Sequence, residues 1–193
     1  TLQASYTNFS YLRKCWRETT EKDALLGVGM TGIGSGKVLD FDLRAAARVV
    51  VEENKRVAGL IGINPAARTT LTKPGGTTSL LLNTSSGIHA WHAPHYIRRI
   101  RVGKREPVYS FFMLKAPTLV EDDIFSSDRA IISFPMRAPE GSILRSESAI
   151  DLLERVKRFY TEWIVEGHSS GSNTHNVSAT ISVKPEEWRE VGE

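Results

Sequence analysis

The sequence predicts an α/β fold, and two kinds of pattern carry that prediction. Apolar residues recur at helical spacing over residues 43–61 and 149–165, long enough for two well-packed helices. Short runs rich in β-branched residues lie at 69–72, 96–102, 130–134 and 175–183, and helices interleaved with such runs imply strands packed against helices. No internal repeat is visible, and no change of composition divides residues 1–193 into separate domains.

In chain order, residues 11–26 read as a first helix, with Leu12, Cys15, Trp16, Thr19, Ala24 and Leu25 roughly on one side and Arg13, Lys14, Arg17, Glu18, Glu21 and Lys22 mostly on the other. That places Cys15 on the apolar side and predicts a buried structural thiol, not a nucleophile. Gly27-Val28-Gly29-Met30-Thr31-Gly32 matches a dinucleotide-binding string, but a helical pattern precedes it and more glycine follows, so it reads as a flexible connection. Gly36-Lys37 fails as a Walker A turn because Thr31 and Val38 stand at the wrong positions. Asp42 is a cap and Gly62 a stop for the helix between them, whose face with Arg44, Arg48, Glu52 and Lys55 reads as solvated.

The short strand at 69–72 runs into Lys73-Pro74-Gly75-Gly76-Thr77-Thr78-Ser79-Leu80-Leu81-Leu82, the stretch with the clearest chemical content. Pro74 and two glycines break the chain, and their small size allows close approach of a ligand. Thr77, Thr78 and Ser79 then stand in the first turn of a helix, where unpaired amides and the dipole favour an anion; Lys73 adds a cation. By local pattern alone the plainer alternative, a turn whose hydroxyls only cap their own helix, is the stronger.

Beyond it, His89, His92 and His95 invite a metal reading, yet Pro94 prevents a shared helical face and no acid or cysteine accompanies them. Residues 96–102 interleave Arg98, Arg99 and Arg101 with apolar residues. Nearby Glu106, Glu121, Asp122 and Asp123 favour a half-buried strand over a nucleic-acid surface. Residues 108–114 and 119–125 read as helical, and 130–134 as a buried strand ended by Pro135. Ser148 with Asp151 opens the second long helix, whose Phe159, Tyr160 and Trp163 read as core. Residues 175–183 alternate and predict a strand with one apolar face.

The chain has 193 residues, a formal net charge of +3 and one cysteine, which excludes an internal disulfide and a cysteine-built metal site. The slight basic excess gives little support to a polyanionic partner. Without a bilayer-length apolar run or a signal-peptide pattern, a cytoplasmic protein is expected. The missing initiator Met and a helix opened at Pro185 near the end read as a piece of a longer polypeptide.

Thr31-Gly32-Ile33, the Lys73-to-Ser79 turn, Thr84-Ser85-Ser86-Gly87-Ile88 and Asn176-Val177-Ser178-Ala179-Thr180, in this order, resemble the C-terminal part of the catalytic chain of class II, adenosylcobalamin-dependent ribonucleotide reductases. The resemblance covers nearly the whole chain. It implies the closing part of a ten-stranded α/β barrel, and reduction of the ribose 2′-position through a cysteine thiyl radical that adenosylcobalamin generates. In that setting Gly75, Gly76, Thr77, Thr78 and Ser79 would grip the phosphates of a ribonucleoside di- or triphosphate, with Lys73 as helper.

Two departures stand out. Gly75 occupies a position where the family commonly has Ser, and the radical cysteine with its Asn-Pro-Cys-Gly-Glu loop is absent; Cys15 does not match it. The expectation is a fragment or split subunit that holds substrate phosphates, is inactive alone, and acts with the remainder of the catalytic chain or a complementary subunit, with neither membrane nor nucleic acid as partner. A stand-alone nucleotide- or phosphate-binding module without catalysis is the alternative.

Overall fold

The two long helices form where their apolar stripes put them. In the computed structural model, which describes residues 2–193 apart from the side chain of Thr77, helix α2 spans Leu43–Ile61. The Asp42 carboxylate accepts from the Ala45 amide at 2.9 Å, and Gly62 ends the helix in a left-handed conformation at φ 73°. The chain divides into two compact units, one made of its first ninety residues with Gly141–Glu193 and the other of Trp91–Glu140.

The first unit also holds α1 (Lys14–Asp23), α3 (Gly76–Leu81), α5 (Ala149–Phe159) and α6 (Trp188–Gly192). A reciprocal capping box between Ser148 and Asp151 starts α5, and a π-helical turn, Tyr160–Ile164, continues it. Its core is Ile33, Leu43, Ala47, Ile88, Leu152, Phe159, Trp163 and Ile164. Phe159 is fully buried, so truncating it to Ala costs about 3–5 kcal/mol. Tyr160 departs from the predicted core: it is 40% exposed, and its hydroxyl lies 3.3 Å from that of Thr174.

Three expectations for this unit are corrected. No residue of α1 is buried and Cys15 is exposed, because a helix in which only Cys15 and Trp16 are apolar has too thin a stripe to dock. Residues 27–36 are an ordered segment, with Ile33 and Gly34 buried and amides bonded to residues 69, 85 and 87. Residues 175–183 are extended but form a single ladder bridge, Val177 to Thr72. Their alternation is faithful, since Val177, Ala179 and Ile181 pack on the core. The Thr180 amide donates to the His89 imidazole at 2.9 Å instead of to another strand.

The second unit is an antiparallel sheet of β1 (His95–Gly103), β2 (Val120–Asp122) and β3 (Arg129–Arg137), in the order β1-β3-β2, with α4 (Pro107–Lys115). Residues 119–125 are not helical: a 3-10 turn closes at Leu119 and β2 follows. Pro135 does not end β3 but pairs with Ile97. β2 reaches only Ala130–Ile132, so at Pro135 the strand is an edge on that side and has no ladder partner there to need its missing N–H.

Candidate functional site

Residues 68–72 are the spine of the site. They lie between two other extended segments: Val28 bridges Thr70 in parallel, and Val177 bridges Thr72 in parallel. Thr69, Thr70 and Thr72 are buried, and hydroxyls in that position need partners. Thr69 Oγ1 donates to the Gly167 carbonyl at 2.9 Å and Thr70 Oγ1 to the Trp163 carbonyl at 2.6 Å. In return the Trp163 indole donates to the Leu71 carbonyl at 3.1 Å. Thr69 and Thr70 are thus riveted to the segment that follows α5, the Thr72 hydroxyl has no partner among the described residues, and the run delivers the chain into the Lys73 turn.

The turn opens onto a cleft of about 510 Å³. Gln3, Thr31, Lys73, Gly75, Thr78 and His175 form its polar lining, while Leu25, Leu26, Met30 and Leu71 form apolar wall. Of the predicted site residues, Lys73, Gly75 and Thr78 meet here. Gly76 opens α3 with no atom within 4 Å of where its Cβ would stand. Thr77 is helical, and its side chain lies outside the described residues. Ser79 is buried, and its hydroxyl donates to the Gly76 carbonyl at 3.1 Å, bracing the first turn.

Among the described residues no side chain caps α3. Its first bond runs from the Ser79 amide to the Gly75 carbonyl, so the amides of Gly76, Thr77 and Thr78 have no carbonyl four residues back inside the helix. The glycines serve by size more than by conformation. Gly75 has φ −103°, open to any residue, yet a Cβ there would stand 3.2 Å from Thr31 Oγ1. Thr31 therefore fills part of the room a side chain at position 75 would use.

Thr31 also ties down the loop at residues 84–88. Its hydroxyl donates to the Ser85 carbonyl and accepts from the Gly87 amide, both at 3.0 Å. The Gly32 amide donates to the Ser85 carbonyl at 2.9 Å, and the Ile33 amide to the Gly87 carbonyl at 3.1 Å. Gly87 has φ 56°, and a Cβ on it would lie 2.5 Å from the Lys73 carbonyl oxygen. Two of the sequence motifs, 31–33 and 84–88, are therefore the scaffold that fixes the third.

Sequence reasoning singled out neither Thr31 nor His175 as cleft residues. Thr31 could have been found as one of two hydroxyls, with Ser35, inside a glycine-rich segment. His175 gave no signal, because facing the cleft follows from the Thr72–Val177 bridge, a contact between distant parts of the chain.

The other candidates have structural roles. His89 accepts from the Thr180 amide at Nε2, so Nδ1 bears the proton and donates to the Ser86 carbonyl at 3.0 Å. Among the described residues no group of His, Cys, Asp or Glu is arranged to hold a metal. On β1, Arg99 pairs with Glu121 and Arg101 with Asp123, and Lys104 beside the strand pairs with Asp122. That neutralises much of the basic face a nucleic acid would need. Asp123 is held below the usual carboxylate range by the Phe125 amide first and by Arg101. In the first unit, Arg44 and then Arg48 likewise lower Glu166, so part of the solvated face of α2 is an ion-pair surface. No helix among the described residues is long and apolar enough to cross a membrane.

Comparison with known proteins gives a consistent picture. No family model matches the chain. It is 27% identical over 150 residues to the adenosylcobalamin-dependent ribonucleoside-triphosphate reductase of Levilactobacillus brevis, covering 77% of this chain and 19% of that protein. The enzyme of the same name from Lacticaseibacillus paracasei is 22% identical over 91% of the chain, and that from Euglena gracilis 25% over 89%. A crystal structure of a B-12 dependent, class II ribonucleotide reductase superposes with a TM-score of 0.72 at 20% identity, over 91% of this chain and 28% of that one. The chain thus has the fold of a segment of that enzyme, and it spans about a fifth of the length of the first curated relative.

Proposed function

We propose that this chain, a homologue of one segment of the adenosylcobalamin-dependent ribonucleoside-triphosphate reductases, holds the phosphates of a ribonucleotide while residues outside it reduce the ribose. On this reading the first-turn amides of α3 and the Thr78 hydroxyl donate to phosphate oxygens, Thr77 stands in the same turn, Lys73 supplies positive charge, and Ser79 keeps the turn in shape. The observation that carries it is the uncapped start of α3, whose Gly75 and Thr78 line a cleft beside Thr31, itself tied to residues 85 and 87. Preorganised donors cost no rearrangement when charge arrives, which is what positioning a reacting nucleotide requires. The same segment is proposed to be the closing part of a ten-stranded α/β barrel, consistent with its parallel bridges.

The cofactor named in the relatives finds no matching donor set here. The cleft is sized for a nucleotide-like ligand and is far smaller than a corrin with its side arms needs. Cys15, the one thiol, is exposed on α1 and does not line the cleft. No step through cobalamin is assigned to these residues, and the isolated chain is expected to form no deoxynucleotide. Titration calorimetry of the chain with a ribonucleoside triphosphate tests the binding reading. Thr78→Val and Lys73→Met should each weaken binding by about tenfold, the worth of one charge-assisted hydrogen bond. Affinity unchanged in both variants would return the turn to a plain helix start.

A further inference from the structure

We propose that His175 is a further ligand of the anion in this cleft, acting through Nε2 and sharing one proton with a terminal phosphate oxygen. The inference rests on the phosphate reading of the cleft and adds a ligand from outside the helix start. His175 comes from the other side of the spine, on the extended segment that the Thr72–Val177 bridge aligns.

The orientation of the ring follows from one hydrogen bond. Nδ1 lies 3.0 Å from the Thr70 carbonyl oxygen, an atom that can only accept, so Nδ1 carries a hydrogen. The Thr70 carbonyl is itself immobile, since Thr70 is buried and its hydroxyl is bonded to Trp163. The tautomer and the ring plane are thereby set, as they are when a second group fixes a metal-binding or catalytic imidazole. Nε2 is the nitrogen left over. It has no hydrogen-bond partner among the described residues, and the half-buried side chain lines the same cleft as Lys73, Gly75 and Thr78.

A neutral imidazole presenting Nε2 is an acceptor, and a fully ionised phosphate offers only acceptors, so the pair needs a proton. A hydrogen bond between an acceptor nitrogen and an acceptor oxygen needs one proton, and one proton held between them satisfies both atoms with no other change in bonding. Among the described residues Lys73 is the one charged side chain that lines the cleft; the segment at residues 25–31 and Gln3 contribute only neutral groups. No carboxylate there competes for the proton, and the bound anion offsets the second positive charge. The cleft would in this way prefer a ligand ending in a phosphate monoester or polyphosphate over a phosphodiester, which has no last proton to share.

Calorimetry of the full chain with inorganic tripolyphosphate, repeated in two buffers of different ionisation enthalpy at pH 8, reads both affinity and protons taken up. The expected result is net proton uptake on binding by the unaltered chain. In His175→Gln that uptake should disappear and affinity should fall by about tenfold, while Lys73→Met loses affinity but keeps the uptake. Affinity and proton uptake unchanged in His175→Gln, with Lys73→Met weakened, would overturn the role of His175 and leave the phosphate site standing. No binding by the unaltered chain would overturn both. Should the variant fail to fold, the imidazole nitrogen-15 shifts of the unaltered chain decide. A hydrogen on Nδ1 and an Nε2 resonance that moves on adding tripolyphosphate support the proposal, and an unmoved Nε2 contradicts it.

Discussion

The unit that contains the cleft and the Trp91–Glu140 unit satisfy their backbones by opposite means. In the second, nine residues of β1 face nine of β3 in an unbroken antiparallel register, and β2 extends the ladder. In the first, the bridges Val28–Thr70, Arg68–His168 and Thr72–Val177 stand isolated and much of the pairing runs through side chains: Thr31 to Ser85 and Gly87, His89 to Thr180, Trp163 to Leu71. A ladder uses the donors and acceptors along its strands and leaves few for a ligand. A scaffold of side-chain ties can hold a turn rigidly and still leave its first-turn amides open. The candidate site lies in the unit built the second way.

The largest break in that contrast should come from Gly87→Ala. It places a Cβ against the Lys73 carbonyl in a left-handed residue, so we expect a loss of about 3 kcal/mol or more, from strain and overpacking together, with phosphate binding abolished. Thermal unfolding and calorimetry check it. Next is Thr31→Val, which keeps the shape but orphans the Gly87 amide; chemical unfolding should show a loss of about 1–3 kcal/mol.

A smaller effect is expected in the ladder unit from Asp123→Asn. The folded state lowers the pKa of Asp123 below its unfolded value, near 3.9 for an ordinary Asp, so its stabilisation is present above that pH and is lost as pH falls through the lower folded value. The variant should melt at a lower temperature at pH 7, and the difference from the unaltered chain should shrink on acidification below about pH 4. A constant difference across that range would contradict the assignment. Smallest is Arg99→Ala, whose pair with Glu121 is more than half exposed on both sides; stability should change by less than about 1 kcal/mol.

The same contrast explains what could be read from the sequence. Elements whose cause is local were legible: the Asp42 cap, the Gly62 stop, the Ser148–Asp151 box and the alternation of β1 all lie within a few residues of what they determine. Pro135 misled because its tolerance depends on where β2 stops, and Cys15 because whether a thin apolar stripe docks depends on the rest of the fold. In the site, the turn itself was visible as Lys73-Pro74-Gly75-Gly76, but the burial of Ser79 and the arrival of Thr31 and His175 were not. Those depend on bonds between residues 31 and 85, and between 70 and 175, which no local pattern encodes.

The central claim is that backbone amides at the start of α3 hold a phosphate, and Gly76 allows it to be tested at a single atom. Proline is favoured at the first position of a helix, where it removes the N–H, and nothing lies within 4 Å of a Cβ at Gly76. Calorimetric titration of Gly76→Pro and Gly76→Ala with a ribonucleoside triphosphate separates the amide from the side chain. The account predicts that Gly76→Ala binds as the unaltered chain does while Gly76→Pro, with an unchanged circular dichroism spectrum, binds about tenfold more weakly; equal affinity in the two variants would contradict it.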